Sequence, residues 1–173
     1  MEIYLNLPRY LQEWFVFQCY GEWTSKYYRP PVCRFQRSSI ESSILRMGLR
    51  APRFGEEPMC RCPEGWTRVE VPVFKGIDLT TRNYLPEKTR IALESCLRSR
   101  FDVDLWECIK DKDFSIVPIN EMLEAWMDSR GIEPNDTNFH TVSKRAQRLR
   151  ERAVGRARQQ RYRMAKKNAS KNA

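Results

Sequence analysis

Leu93, Leu97, Phe101, Leu105 and Ile109 recur at every fourth residue. That spacing predicts a long helix, opened by Pro86 and closed by Asp111-Lys112-Asp113, over about 86–110 with a break near Phe101-Asp102. Pro118 opens a second helix, in which Ile119, Met122, Leu123, Trp126 and Met127 fall at i, i+3, i+4, i+7 and i+8. That is an amphipathic stripe that needs a partner surface. Gly131 is placed to cap it, with Ile132 folding back beneath. Phe139, Val142, Ala146, Leu149 and Ala153 then step by 3, 4, 3 and 4, capped by Asp136 or Thr137. At 100° per residue they occupy about 80° of a helix circumference. Beyond Ala153 the stripe thins to Ala157, Gln160 and Met164, so the first half of this helix should dock and the second half project or fray.

The N-terminal part mixes strand and helix signals. Ile3, Leu5 and Leu7 alternate, as in a short strand. Pro8 suits a helix start, Leu11, Trp14, Phe15 and Gln18 follow at helical spacing, and Gly21 suits its stop. Residues 22–37, with Pro30-Pro31, read as a loop. Ser38-x-x-Glu41 matches a capping box for a helix over 39–47, with Ile40, Ile44 and Leu45 on one face and Gly48 after its end. Pro52, Pro58, Pro63, Gly55 and Gly65 mark a loop over 48–65. Val69, Val71 and Val73 alternate as a second strand, and Pro72 favours its placement at an edge.

These segments define an α+β, mainly helical chain: four or five helices, a small two-stranded β-ribbon and a basic C-terminal helical tail. One domain is expected over 1–153, with a partly disordered tail over 154–173; Asn168 to Ala173 carry no ordering signal. The 173 residues are 41% hydrophobic and 12% aromatic, including 5 Trp, enough to build one ordinary core. No run approaches a membrane span, and the opening MEIYLNLP lacks the basic n-region of a secretory signal. The chain thus reads as cytoplasmic, and Cys19, Cys33, Cys60, Cys62, Cys96 and Cys108 as reduced thiols.

Charge is segregated. The formal net charge is +9, yet residues 137–173 hold twelve Lys and Arg against one acid, Glu151. The rest of the chain is near neutral, apart from a basic stretch from Lys26 to Arg53 with Tyr27, Tyr28, Phe35 and Phe54 interleaved. A one-sided basic block points to a polyanionic partner. On the third C-terminal helix, His140, Thr141, Lys144 and Arg148 lie within about 100° of one another, with Arg145 and Arg152 beside them. Arg156, Arg158, Arg161 and Arg163 continue into the tail, together with Lys166 and Lys167. Such a helix fits the major groove, where Arg can fork two hydrogen bonds to guanine. These residues are the candidate nucleic-acid-binding set.

The order helix (118–130), turn (131–136), basic helix (137 onward) resembles the helix-turn-helix of bacterial DNA-binding proteins. The stretch Thr141 to Arg152 is similar to the recognition helix of winged-helix regulators. The turn is longer than the tight turn of that pattern, and a basic tail stands where a wing hairpin would follow. These departures bear on sequence-specific reading more than on binding itself. The opening MEIYLNLPRYLQEW, with RNYLPEKTR, FDVDLWECI and LEAWMDSRGI, also resembles small uncharacterised proteins of prophages and mobile elements of gut bacteria. The resemblance implies no function beyond a small accessory role in such an element.

The expected function is therefore non-enzymatic nucleic-acid binding, with DNA ranked ahead of RNA. A structural or protein-interaction component, such as a virion or assembly factor, is the rival reading. Cys60-Arg61-Cys62 with Cys33 upstream is a poor zinc pattern, because a structural site wants four ligands and usually a two-residue gap. Neither metal nor cofactor is expected. Catalysis has little to work with: His140 is the single histidine, and no glycine-rich loop could cradle a phosphate. Asp102, Asp104 and Glu107 read as a solvated acidic face.

Overall fold

A computed structural model describes residues 1–21, 32–110 and 118–169, with side chains to Met164. Its elements run β1 (Glu2–Leu5), α1 (Arg9–Tyr20), β2 (Cys33–Arg34), α2 (Ile40–Gly48), β3 (Thr67–Glu70), α3 (Glu87–Ile109), α4 (Ile119–Ser129) and α5 (Asp136–Ala169). The mainly helical α+β reading holds, with five helices among the described residues. The ribbon is wider than its two expected strands, since the sheet order is β1-β3-β2. β1 pairs antiparallel with β3, Ile3 opposite Val69, and β2 pairs parallel with β3, Cys33 opposite Val69. β3 is therefore central rather than an edge strand. Pro72 lies beyond its end, after Val71 has donated its amide to the Met1 carbonyl at 3.0 Å. β2 falls in the stretch read as a loop, because two residues carry no alternation to detect. Most of that stretch, 22–31, lies outside the described residues, as do Asp111-Lys112-Asp113.

α3 is unbroken across Phe101-Asp102. Its five apolar residues are all at most 1% exposed. A four-residue step drifts about 40° per repeat, so the stripe winds through about 160° and meets several neighbours: α1, α2, α5 and β1. Phe101 sits where they converge. Its ring meets Tyr10, Trp14 and Trp126 edge-on at 5.0, 5.6 and 5.5 Å. Edge-to-face pairs add about 0.5–1.5 kcal/mol each beyond burial.

Of the acidic cluster on α3, Glu107 is exposed as expected, but Asp102 and Asp104 are partly buried and bound to other elements. Asp102 accepts two hydrogen bonds from Arg145 on α5. Asp104 accepts from Trp14 Nε1 on α1 at 2.9 Å and from Arg130, after α4, at 2.8 Å. Glu107 pairs with Lys110. Glu94 accepts the Asn6 amide at 2.9 Å, tying the end of β1 to the same helix.

Helix ends follow local chemistry, with three adjustments. α2 is capped by Ser39, whose hydroxyl accepts the Ser42 amide at 3.2 Å, rather than by Ser38. The shift of one residue turns Ile40 to solvent and buries Glu41, which takes a hydrogen bond from Arg100 at 2.9 Å. Gly48 is the last residue of α2 and not the residue after it; a Cβ there would collide with the Thr89 side chain, so α2 and α3 need its bare backbone. The third concerns α5, which is capped by Asn135, whose Oδ1 accepts the Asn138 amide at 2.9 Å, in place of Asp136 or Thr137.

α4 ends as expected. Gly131 is left-handed (φ 67°), its amide bonds to the Asp128 carbonyl, and the Ile132 amide bonds to the Met127 carbonyl. This is the paired geometry of a Schellman stop, with Ile132 and Met127 both fully buried. α5 continues as helix to residue 169, including Asn168 and Ala169, for which no order was expected; residues 170–173 lie outside the described part.

Candidate nucleic-acid interface

α5 is rooted before it becomes basic. The turn from α4 is held by Glu13 of α1, a buried carboxylate. It accepts the Glu133 amide and the Asn138 Nδ2, both at 3.0 Å, and it pairs with Arg9. Asn138 Nδ2 also donates to the Glu133 carbonyl at 3.0 Å. Each buried donor thus has an acceptor, and the start of α5 is fixed against α1. Val142 and Ala146 are fully buried, and Leu149 packs on the same core from its edge. Past Ala153 every described side chain of α5 is exposed.

The sequence-predicted residues divide into three groups. His140, Lys144, Arg148 and Arg152 are exposed on the docked half, as expected, and Arg156, Arg158, Arg161 and Arg163 are exposed on the projecting half. Lys144, Arg148, Arg152 and Arg156 form a row four residues apart, spanning about 18 Å of helix and turning about 40° per step. None of the four pairs with an acid among the described residues.

Thr141 is half-buried, and its hydroxyl donates back to the Thr137 carbonyl at 2.9 Å. It offers less to a ligand than its position on the helix suggests. Arg145 is the correction to the predicted set. Its Nε and Nη2 donate to Asp102 at 2.8 and 2.9 Å, Nη1 donates to the Tyr10 hydroxyl at 3.3 Å, and its guanidinium lies 5.9 Å from the Phe101 ring centre. Burial works against the charged guanidinium, but the bonds to Asp102 and Tyr10 outweigh it and hold its pKa above the usual arginine value. Arg145 is a tie between α5 and α3. Helical position alone could not separate it from Lys144 or Arg148; the signal lay in Asp102, on another helix.

Asp102, Arg145, Arg148, Leu149 and Arg152 line a small cleft of about 70 Å³ between α3 and α5. With Asp102 committed to Arg145, Arg148 and Arg152 stand at its rim with no acidic partner among the described residues. Like charges four apart on a helix repel by about 0.2–0.5 kcal/mol per pair. A line of phosphates would relieve that repulsion along the whole row.

The second basic stretch contributes less. Phe35 is buried against Phe15, with ring centres 5.4 Å apart, and so cannot stack on a base. Phe54 is fully exposed, and Tyr27 and Tyr28 lie outside the described residues. Among the described residues no three or more His, Cys, Asp or Glu side chains gather as metal ligands. No described helix is long and apolar enough to cross a membrane. In comparisons with known proteins, the chain matches no family model, no curated protein and no solved structure.

Proposed function

We propose that this is a non-enzymatic, cytoplasmic nucleic-acid-binding protein that engages duplex DNA through the outward face of α5, in an accessory or regulatory role such as mobile elements employ. The observation that carries the reading is the row Lys144, Arg148, Arg152 and Arg156: exposed, without an acidic partner among the described residues, and on a helix whose root is locked into the core. Arg158, Arg161 and Arg163 extend it along a segment whose described side chains all face solvent. Docked residues fix orientation, while the projecting bases meet phosphates, which position a protein without reading sequence. Arg145 is left out of the binding set, because using it would cost its bonds to Asp102.

The test is binding of the full chain to random duplex DNA across a salt series, beside the chain truncated after Ala153. The full chain should bind with log Kd linear in log salt, and truncation should reduce the slope by about 0.9 for each phosphate no longer neutralised. Equal slopes would remove the arm from the interface. A matched single-stranded RNA separates the RNA reading. One observation favours a protein partner instead: Val154, Tyr162 and Met164 are exposed on the arm. Under that reading, DNA affinity is negligible at moderate salt and the arm is protected only in the presence of another protein.

A further inference from the structure

β1 is an edge strand, since β3 lies between it and β2. Residues facing one another in an antiparallel pair alternate: one pair exchanges both backbone hydrogen bonds, the next exchanges none. The Val71 amide donates to the Met1 carbonyl at 3.0 Å, and the register continues with Glu2 opposite Glu70, Ile3 opposite Val69 and Tyr4 opposite Arg68. Met1, Ile3 and Leu5 therefore direct their backbone groups to β3. Those of Glu2 and Tyr4 point the other way, to the free edge, where no described residue bonds to them. At an open edge water takes such groups, but Tyr4 is only 9% exposed.

This edge borders a cavity of about 210 Å³, whose lining includes Glu2, Tyr4, Glu57, Met59, Asn83 and Leu85. Asn83 brings an independent group of the same kind: its Oδ1 is buried and has no hydrogen-bond partner. Buried polar groups nearly always have partners. The Tyr4 amide, the Tyr4 carbonyl and Asn83 Oδ1 on one cavity thus mark a place for a ligand that both donates and accepts. The charges on the walls give its sign. Glu2 is paired with Arg68 and Glu87 with Arg90, and the Met1 amine points to β3 with the rest of that residue's backbone. Glu57 is exposed and has no ionic partner among the described residues, so the uncompensated side-chain charge of the lining is negative.

We propose that this cavity takes a short extended peptide segment of a partner protein, laid beside β1 and carrying a basic side chain toward Glu57. An extended chain supplies an acceptor and a donor together: its carbonyl accepts the Tyr4 amide, and its amide donates to the Tyr4 carbonyl. A further N–H of the peptide satisfies Asn83 Oδ1. A simple amine would serve Asn83 and Glu57 but leave the Tyr4 amide without an acceptor. Main-chain bonds at a sheet edge give affinity, and the side chains that flank them give specificity. Here the cavity limits the contact to a few residues, and Glu57 selects among peptides by charge. None of the lining residues belongs to α5, so the contact is separate from the proposed DNA interface.

The experiment follows the amide signals of the full chain by NMR while the blocked peptide acetyl-Val-Lys-Val-amide is added. The Tyr4 amide and the Asn83 side-chain amide should shift saturably. Solvent exchange of the Tyr4 amide should slow by about tenfold when the peptide is at ten times its Kd. A backbone N-methylated copy of the peptide should leave both signals in place. Norleucine in place of lysine should weaken binding by up to about fivefold, the range of an exposed ion pair. Glu57→Gln should cost the lysine peptide the same factor and leave the norleucine peptide unaffected. No saturable shift of Tyr4 in the parent protein, or an equal shift from the N-methylated peptide, would overturn the proposal. A shift of Asn83 by butylammonium chloride, with Tyr4 unmoved by the peptide, would replace it with a small-cation site.

Discussion

Arg145 and Arg148 sit three residues apart on one helix, but Arg145 is bonded to Asp102 while Arg148 is exposed with no acidic partner among the described residues, and the difference can be weighed. The Arg145–Asp102 pair has two hydrogen bonds at 2.8 and 2.9 Å, and each side chain is about a quarter exposed (24% and 25%). Exposed pairs contribute about 0.2–1 kcal/mol, and breaking a fully buried pair costs about 3–5 kcal/mol. A pair at this depth lies between them. Arg145→Ala also gives up the Tyr10 bond and the guanidinium over Phe101, so we expect a loss of about 2–3 kcal/mol. Asp102→Ala should cost about as much, because it strands Arg145. The double variant should lose less than the sum, with a coupling of about 1–2 kcal/mol. Urea unfolding reads this directly: the midpoint falls while the m-value stays constant. Arg148→Ala should leave stability within about 0.5 kcal/mol and lower the salt slope of DNA binding by about 0.9. A coupling below about 0.5 kcal/mol would refute the assignment of Arg145 as a tie and return it to the binding face.

Glu13→Ala should cost about 2–4 kcal/mol, since it orphans the Glu133 amide and Asn138 Nδ2 together; unfolding midpoints, with faster exchange of the Glu133 amide, check it. Gly131→Ala should cost more than about 2 kcal/mol, because φ is 67° and a Cβ would run into the Phe17 ring; a loss near zero would mean that the α4 stop is not rigid. Glu41 supplies a pH test. Burial pushes its carboxyl up, but hydrogen bonds from Arg100, its own amide and Ser39, with the Arg100 charge, bring it below the usual value. The unfolded chain therefore binds the proton more readily. Stability from Glu41 is present above its unfolded pKa, about 4.3, and is lost as pH falls through the lower folded value. Glu41→Gln should flatten the acid limb of the stability curve, and an unchanged limb would refute this.

The helices were legible because each carries a period that survives without knowledge of its neighbours. Leu93 to Ile109 and Ile119 to Met127 mark their buried sides, and Gly21 and Gly131 mark two ends by the backbone each requires. What stayed hidden depends on interactions between elements. Asp102 and Asp104 read as solvated until α1, α4 and α5 close over them, and the buried Glu13 and Glu41 have no local signature at all. The two residues of β2 are a strand only because β3 lies beside them. At the candidate interface the exposed bases were visible as a block, but the diversion of Arg145 to α3 was not.

The projecting half of α5 has no buried side chain among the described residues to hold it helical, so its order is inherited. Starting a helix costs far more than lengthening one, and the docked turns around Val142 and Ala146 have already met that cost. The arm beyond Ala153 is then a propagating end, growing from a seed that the core supplies. Gly155 stands two residues past the last partly buried position, where it weakens propagation by about 1 kcal/mol relative to Ala. The arm's helicity should therefore fall with temperature well before the core unfolds, melting from the free end back toward Gly155. Loosening the seed, for instance by enlarging Ala146, should dissolve the arm as well, although none of its own residues has changed.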